Sequence, residues 1–542
     1  MKQSFAFVFI FFVGITIFAQ QEFHVFPKAH TTTPGRASGD GSLENPWDLE
    51  TALNQKPEVV NGHDIIWLHE GVYNGRYRST VQSTIPNAYV TVSAYEEDKV
   101  TLNGNVKSKR EAVLEVNGKQ VIYKNFEITW LGDFSRFEAD ENFKIGRGLR
   151  HLKGANCKFY NLRIHDVPGL GFGFWKHGAG SIIEDCIIYN NGYVAKNGRG
   201  RGEGIYVQNS SDSTRLIKNS IIFNNYYKGI EVWSAGRRAN FEYVKHIKLE
   251  NNILFNNGLP SGRHLDNIIV ASDDRNGINV AKHISVINNV LYHNSNFTKD
   301  EIRGDAPSLT LGFNKHAPIE DVIVKDNIII GRSNGLRILQ AKSLTFTNNI
   351  IHTGFVQFSW SAKDNANHWN FKNNTYYSRT NRPAFRIVKY KDFKFDEWQT
   401  TFNIDHKSTS RVVDDFDLHP VLAFNRYQLN LNTYNVALFD KKGNDVVVDV
   451  SKYGIEKGKH YKIYDAENPE NVLSSGKVLE NRQIVFPMNN NEFLMPLHNT
   501  KAQKTPSNFG VFIIDFVDSP KQVSKVANPE NAFQHFLKWL GF

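Results

Sequence analysis

Between Arg147 and Arg275 the chain sets cations, histidines, aromatic rings and two glutamates at matching offsets from a repeated apolar phrase. The phrase reads GFGFWKH from Gly171, GIYVQNS from Gly204, GIEVWSA from Gly229, NIIVASDD from Asn267, SLTLGFN from Ser308 and GLRILQA from Gly335. Strand side chains alternate faces. One set is therefore inward: Phe172/Phe174, Ile205/Val207, Ile230/Val232, Ile268/Val270, Leu309/Leu311 and Leu336/Ile338. The outward set is Gly173/Trp175, Tyr206/Gln208, Glu231/Trp233, Ile269/Ala271, Thr310/Gly312 and Arg337/Leu339. Cations crowd the adjoining loops. Arg147, Arg150 and His151 come before the first copy, and Lys176 and His177 end it. Lys196, Arg199 and Arg201 lead into the second, Arg237 and Arg238 follow the third, and Arg263, His264 and Arg275 flank the fourth. Aromatic faces among cations suit a sugar ring that carries carboxylate or sulfate groups.

Two chemistries fit these residue types. β-Elimination on a uronate needs a cation on the carboxylate, a base for the C5 proton and a donor for the leaving oxygen. Arg201 and Lys176 are the expected neutralisers, His177 and Tyr206 the expected acid and base, and Glu231 orients a base or binds hydroxyls. Hydrolysis instead needs two carboxyl groups. Glu231 is outward and Glu203 stands just outside the preceding strand, so the two can meet across neighbouring turns about 4.8 Å apart. Cations and histidines outnumber outward carboxylates, which favours elimination, as a lyase or a dehydratase. A non-catalytic glycan-binding protein is the third alternative. Tyr206, Glu231 and Trp233 form the expected floor, and Arg199, Arg201, Arg237 and Arg275 the rim. Trp175, Glu203, Gln208, His264 and His151 complete the expected sugar contacts. Asp166 occupies the offset filled by Asn190, Asn224 and Asn256 in later repeats, so it reads as a structural residue. Asp273 and Asp274 could hold calcium, but beside Arg275 they read as paired or solvated; no cofactor is expected.

The element that positions these groups is written in a second phrase. It runs NFEITW from Asn125, NLRIHD from Asn161, DCIIYN from Asp185, NSIIFN from Asn219 and NNILFN from Asn251. It continues as NNVLYH from Asn288, DNIIIG from Asp326, NNIIHT from Asn348 and NNTYYS from Asn373. The steps range from 22 to 38 residues while the phrase holds constant. That is the signature of a solenoid. One strand per sheet per turn makes a parallel β-helix, right-handed by the crossover preference. Asn at its corners tolerates left-handed dihedrals and bonds its stacked neighbours. About ten turns are expected. Asp48 starts a short helix through Leu53 that plugs the open end, since a terminal turn exposes apolar surface and strand edges.

The 542 residues exceed one compact core and suit a solenoid with an appended domain. Residues 1–19 read as a secretory signal, with Lys2 before an apolar run and cleavage after Ala19. The run is too short for a confident membrane span, and no later stretch could cross a bilayer. A periplasmic or secreted protein follows. Cys157 and Cys186 fall at different repeat offsets and read as buried thiols. A net charge of +9 points to an anionic partner. The signal and the lack of a nucleic-acid motif favour acidic polysaccharide over nucleic acid. The solenoid is expected over 20–410. Short alternating strands follow (YNVALFD, NDVVVDVS, KHYKIYDA, RQIVFPM) and suggest a β-sandwich over 411–519. The tail 520–542 carries Asn528, Pro529 and a stripe of Phe533, Phe536, Leu537 and Leu540, the pattern of a capped helix. Oligomeric state is not written in the sequence.

The cap segment, the repeated Asn phrase and the trailing sandwich resemble the secreted right-handed parallel β-helix family of carbohydrate-active proteins. The resemblance spans roughly 22–517. It implies an all-β fold and action on a polysaccharide or oligosaccharide. Members include pectate, alginate and chondroitin lyases, polygalacturonases and carrageenases, so it implies no single reaction. Neither a paired-Asp polygalacturonase site nor a calcium-bridged Asp cluster is recognisable. Algal polysaccharides such as ulvan or alginate are the expected substrates.

Overall fold

The computed structural model describes residues 20–234, 236–295, 304–499 and 501–517. The signal segment 1–19 and the tail 520–542 lie outside the described residues. The chain opens with Glu22–Val25, which pairs in parallel with Ile65–Leu68. Asp48 then caps the Leu49–Ala52 helix, its carboxylate accepting from the Thr51 amide at 2.8 Å. Leu49, Ala52, Leu53 and Trp47 are buried and close the end of the coil, as a solenoid terminus requires.

Three sheets of twelve strands each run the length of the solenoid, more than the ten turns expected. In two of the sheets the extra strands lie before residue 112, where strands form without the Asn phrase; in the sheet that carries the GIYV-type phrases one of them is Lys391–Phe393 at the far end, which pairs antiparallel. The inward set sits on the core side as the alternation requires: Phe172, Phe174, Ile205, Val207, Ile230, Val232, Ile268 and Val270 are fully buried. Burying each such side chain contributes about 1.5–3 kcal/mol.

The Asn phrase makes the corner. Its leading Asn or Asp residues, from Asn125 to Asn373, all have φ between +48° and +65°. Their side chains bond from rung to rung: Asn161 Nδ2 donates to Asn125 Oδ1 at 3.0 Å and Asn288 Nδ2 to Asn251 Oδ1 at 2.7 Å. Asn219 likewise donates to Asp185, the corner one rung back, and also to the Arg426 carbonyl. The second Asn of each NN pair builds an interior ladder. Asn289 Oδ1 accepts from the Asn252 backbone and side chain at 2.9 and 3.0 Å, and Asn327 does the same for Asn289. Each buried amide is thereby satisfied, which is why the step repeats without drift. Cys157 and Cys186 are buried free thiols.

The solenoid ends with Thr409–Val412, so the boundary expected at 411 falls inside its last strand. Beyond Val421 the pairing turns antiparallel. A five-stranded sheet runs in the order Val421–Arg426, Thr433–Phe439, Phe509–Val517, His460–Asp465 and Asn468–Lys477. A two-stranded antiparallel ribbon of Val446–Asp449 and Gln483–Phe486 packs on one of its faces through Val436, Leu438, Val448, Ile484 and Phe512. The other face, with Ala437, Phe439, Phe509 and Val511, covers one solenoid sheet. There Tyr189, Phe223 and Phe255 stack at 5.0 and 4.7 Å. The sandwich packs on that sheet and not on the one that carries the GIYV-type phrases.

Candidate active-site cleft

The site grows out of the ladder register. Tyr206, Glu231, Ile269, Thr310 and Arg337 pair Cα to Cα along five successive strands and form one outward column. A second column stands three residues earlier. The Gly204 amide bonds the Lys228 carbonyl and the Gly229 amide bonds the Asp266 carbonyl, which puts Glu203, Lys228 and Asp266 side by side. The glycines that follow Glu203 and Lys228 are needed for this approach. A Cβ on Gly229 would lie 2.5 Å from the Asn267 carbonyl oxygen, and one on Gly204 would lie 2.8 Å from both Gly229 O and the Asn225 amide.

Around these columns lies a cleft of about 740 Å³. Arg199, Arg201, Tyr227 and Leu265 line one side, and Trp175, Trp233, Arg237, Asp273 and Phe313 the other. At its centre Lys228 Nζ contacts Glu231 Oε1, and both side chains are almost fully buried. Burial works against the Lys228 ammonium, but Glu231 overrides it and raises its proton affinity. The Glu203 carboxyl lies within hydrogen-bonding reach of Glu231. Burial first, and the Glu231 charge second, push it up to about 8. The two glutamates thus form one carboxyl pair, in which Glu203 tends to keep its proton and Glu231 contacts the Lys228 ammonium. Glu203 keeps part of its surface open to the cleft. Burial, Glu231 and Glu203 together drive the Tyr206 phenol far above its ordinary value, so it stays a donor. One rung on, Asp266 accepts from Thr310 Oγ1 and from Arg337 Nη2 at 2.8 Å, and Arg337 Nε donates to Thr310 at 2.8 Å.

The structure brings together Trp175, Arg199, Arg201, Glu203, Tyr206, Glu231, Trp233 and Arg237, and leaves the other expected residues elsewhere. Lys176 and His177, an expected neutraliser and an expected acid/base group, lie outside the cleft. Their strand runs six residues, to His177, where the usual copy runs three. Lys176 Nζ rests 5.0 and 4.7 Å from the Phe241 and Tyr243 ring centres, and His177 is exposed beyond the edge. Sugar contact by His151 is also ruled out. It pairs with Phe174 in the ladder, at an inward position, and bonds Arg215 at 2.8 Å and the Gly154 carbonyl at 2.9 Å inside the coil. Burial and Arg215 hold its proton affinity well below normal. His264 is pressed against His293, where burial and that neighbour push it down to about 2. Gln208 is buried and supports the floor from behind, donating to the Trp233 carbonyl at 3.1 Å and to Tyr206 Oη at 3.4 Å. Arg275 is exposed away from the cleft lining and bonds Arg237 only through its backbone.

Asp166 is part of a buried cluster with Arg136 and His165, as its repeat offset implied. Asp273 faces the cleft with Arg237 at 3.5 Å, whereas Asp274 accepts from the Ala239, Asn276, Ile278 and Asn279 amides and shapes a loop. Among the described residues no three His, Cys, Asp or Glu side chains are grouped to hold a metal ion. Lys228 and Asp266 were not foreseen. Both immediately precede the first small residue of a strand phrase, the same offset as Glu203, and that offset was the available signal.

Residues 72–254 match the family model described as a right handed beta helix region. No curated protein matches the chain. Among solved structures the chain is similar in fold to pectate lyase Pel9A, at 14% identity and TM-score 0.42 over 74% of this chain and 82% of that one. It is similar to the GH136 lacto-N-biosidase from Eubacterium ramulus, at 13% identity and TM-score 0.42 over 72% and 68%. It is also similar to the A-module of the Azotobacter vinelandii mannuronan C-5 epimerase AlgE6, at 12% identity and TM-score 0.41 over 67% and 93%.

Proposed function

We propose that the protein is a secreted carbohydrate-active enzyme that hydrolyses a glycosidic bond in an acidic polysaccharide or oligosaccharide. The observation that carries this reading is the Glu203–Glu231 pair on the cleft floor, with one carboxyl kept protonated and the other held by Lys228. Two carboxyls in different surroundings are what a glycosidase needs, one as the acid and the other as nucleophile or base. Glu203 gives its proton to the glycosidic oxygen as the bond to the anomeric carbon breaks, and a Glu231 oxygen bonds that carbon. Glu203, now ionised, takes a proton from water, whose oxygen displaces Glu231 and restores both groups. With Glu231 as the nucleophile this is the retaining route. Arg199, Arg201 and Arg237 on the rim suit sulfate or carboxylate groups on the chain.

Elimination is the second reading. It is supported by the same arginines and by Tyr206, whose retained proton suits the leaving oxygen. It lacks its expected His177 base and Lys176 neutraliser, which lie outside the cleft. The test follows reducing ends and ultraviolet absorbance together on ulvan, alginate, polygalacturonate and carrageenan. Hydrolysis gives new reducing ends without absorbance, and Glu203→Gln and Glu231→Gln each abolish them. Absorbance from a C4–C5 unsaturated uronate would overturn hydrolysis in favour of elimination. Silence of the wild type in both channels, with retained binding, would favour a binding protein.

A further inference from the structure

The aromatic side of the cleft continues past its end. Trp175 stands inside its strand, but Trp233 and Phe313 come one and two residues after the ends of Ile230–Val232 and Leu309–Leu311. On the same side of the sheet, Trp360 comes two residues after Val356–Phe358 and Tyr390 three after Phe385–Ile387. These two strands are the next neighbours of Leu336–Ile338, whose Arg337 and Leu339 end the cleft. Trp360 and Tyr390 therefore lie four and five rungs from Glu231 on the same edge, roughly 19 and 24 Å along the axis at about 4.8 Å per rung.

Core packing does not account for this pair. Trp360 and Tyr390 are 50% and 49% exposed, and meet edge to face at 5.2 Å. Lys363 Nζ sits 4.1 Å from the centre of each ring and makes no ion pair among the described residues. Two open aromatic faces around a cation with no ion pair among the described residues thus stand beyond the cleft, on the side of the sheet where Trp233 and Phe313 meet at 5.0 Å inside it. The pair is collinear with the cleft, and its charge is complementary to an acidic chain. We propose that Trp360, Tyr390 and Lys363 form a remote subsite that holds the same acidic glycan several sugars from the point of cleavage. The subsite rests on the glycan reading of the cleft, and it makes the protein a binder of long chains whose grip extends to one side of the reacting bond.

The test uses the full chain with Glu203→Gln, so that ligand is bound without turnover. Short, cleft-length and long, platform-reaching oligosaccharides of alginate, polygalacturonate, ulvan and carrageenan are titrated calorimetrically. With Trp360→Ala and Tyr390→Ala added, affinity for the long ligand falls about tenfold while that for the short one is unchanged. Both residues are half exposed, so the fold is expected to persist; circular dichroism checks this, and Lys363→Gln gives a milder variant that weakens only acidic ligands and flattens their salt dependence. Equal loss for short and long ligands, or no loss for long ones, overturns the subsite. So does a wild-type dimer that the double variant turns into a monomer, which would assign the patch to a second copy of the chain. If the platform variants lose the long ligand while Glu203→Gln still hydrolyses, the catalytic reading falls and the subsite stands. If Glu203→Gln is dead and the platform variants bind long chains normally, the reverse holds.

Discussion

Glu203→Gln should stabilise the fold while abolishing turnover, and the gain should depend on pH with a definite sign. Burial and Glu231 raise the Glu203 carboxyl from an ordinary 4.5 to about 8, so the folded state holds its proton more tightly than the unfolded chain does. Below 4.5 both states are protonated and the site carries no penalty. As pH rises toward 8 the unfolded carboxyl ionises freely and the folded one does not, so stability is lost progressively across that window. At about 1.4 kcal/mol per unit the ceiling is about 5 kcal/mol. Glu203 is part open to solvent and shares its proton with Glu231, so about 2 kcal/mol is the expected size. Glutamine cannot ionise and removes the penalty. In a chain of this size that is a rise of about 2 °C in melting temperature above pH 8, falling to about zero below the ordinary carboxylate value. Thermal melts of wild type and variant across that range measure it. A gain equal at both ends, or larger in acid, would refute the shared-proton pair. Activity of the wild type should fall on the alkaline side as Glu203 loses its proton, while the variant, about a hundredfold or more slower, should lack that limb.

Lys228→Met removes the cation beside Glu231, so the pair should bind its proton more tightly and the alkaline limb of the pH–rate profile should move to higher pH; an unmoved or lowered limb contradicts the ion pair. Asn289→Ala breaks one step of the interior ladder, leaving Asn252 amide donors unmet, and should cost about 1–3 kcal/mol in denaturant unfolding. His165 is depressed by burial but raised overall to about 9 by Asp166 and Glu127, so its stabilisation is complete below 6.5 and should be lost as pH climbs through about 9. His165→Gln should flatten that alkaline loss in a series of melts.

Much of the architecture could be read from the chain because both of its periodicities are physically strict. Period-two alternation fixed the inward Ile205/Val207 and Ile230/Val232 pairs, and the left-handed corner explains why Asn or Asp heads the repeated phrase. The same alternation, carried back to residues 147–153, would have placed His151 opposite Phe174 and inside the coil. Lys176 and His177 misled because proximity in sequence to an outward strand says nothing about a strand that runs on past the edge. Lys228 and Asp266 share the Glu203 offset just before the phrase, and that match is their only signal in the chain, because no alternation there gives direction. The Thr433–Phe439 strand was legible as a strand in the YNVALFD run, but its burial on both faces, against the two-stranded ribbon and the solenoid at once, was not, because that depends on how the sheet packs.

The sandwich lies across the solenoid as a splint. Its inner face reaches strands beginning at Ile187, Ile221, Ile253, Val290, Ile328, Ile350 and Thr375, seven successive turns. A repeat array alone holds each turn only by its two neighbours, so a weak turn can open by itself. Here an opening anywhere along those seven turns must also tear contacts with a body that the rest of the array still holds. The turns bearing Glu203, Glu231 and Asp266 fall within that span. Their buried charges, each a local weakness, are tolerated because the cost of opening is spread over the whole braced length.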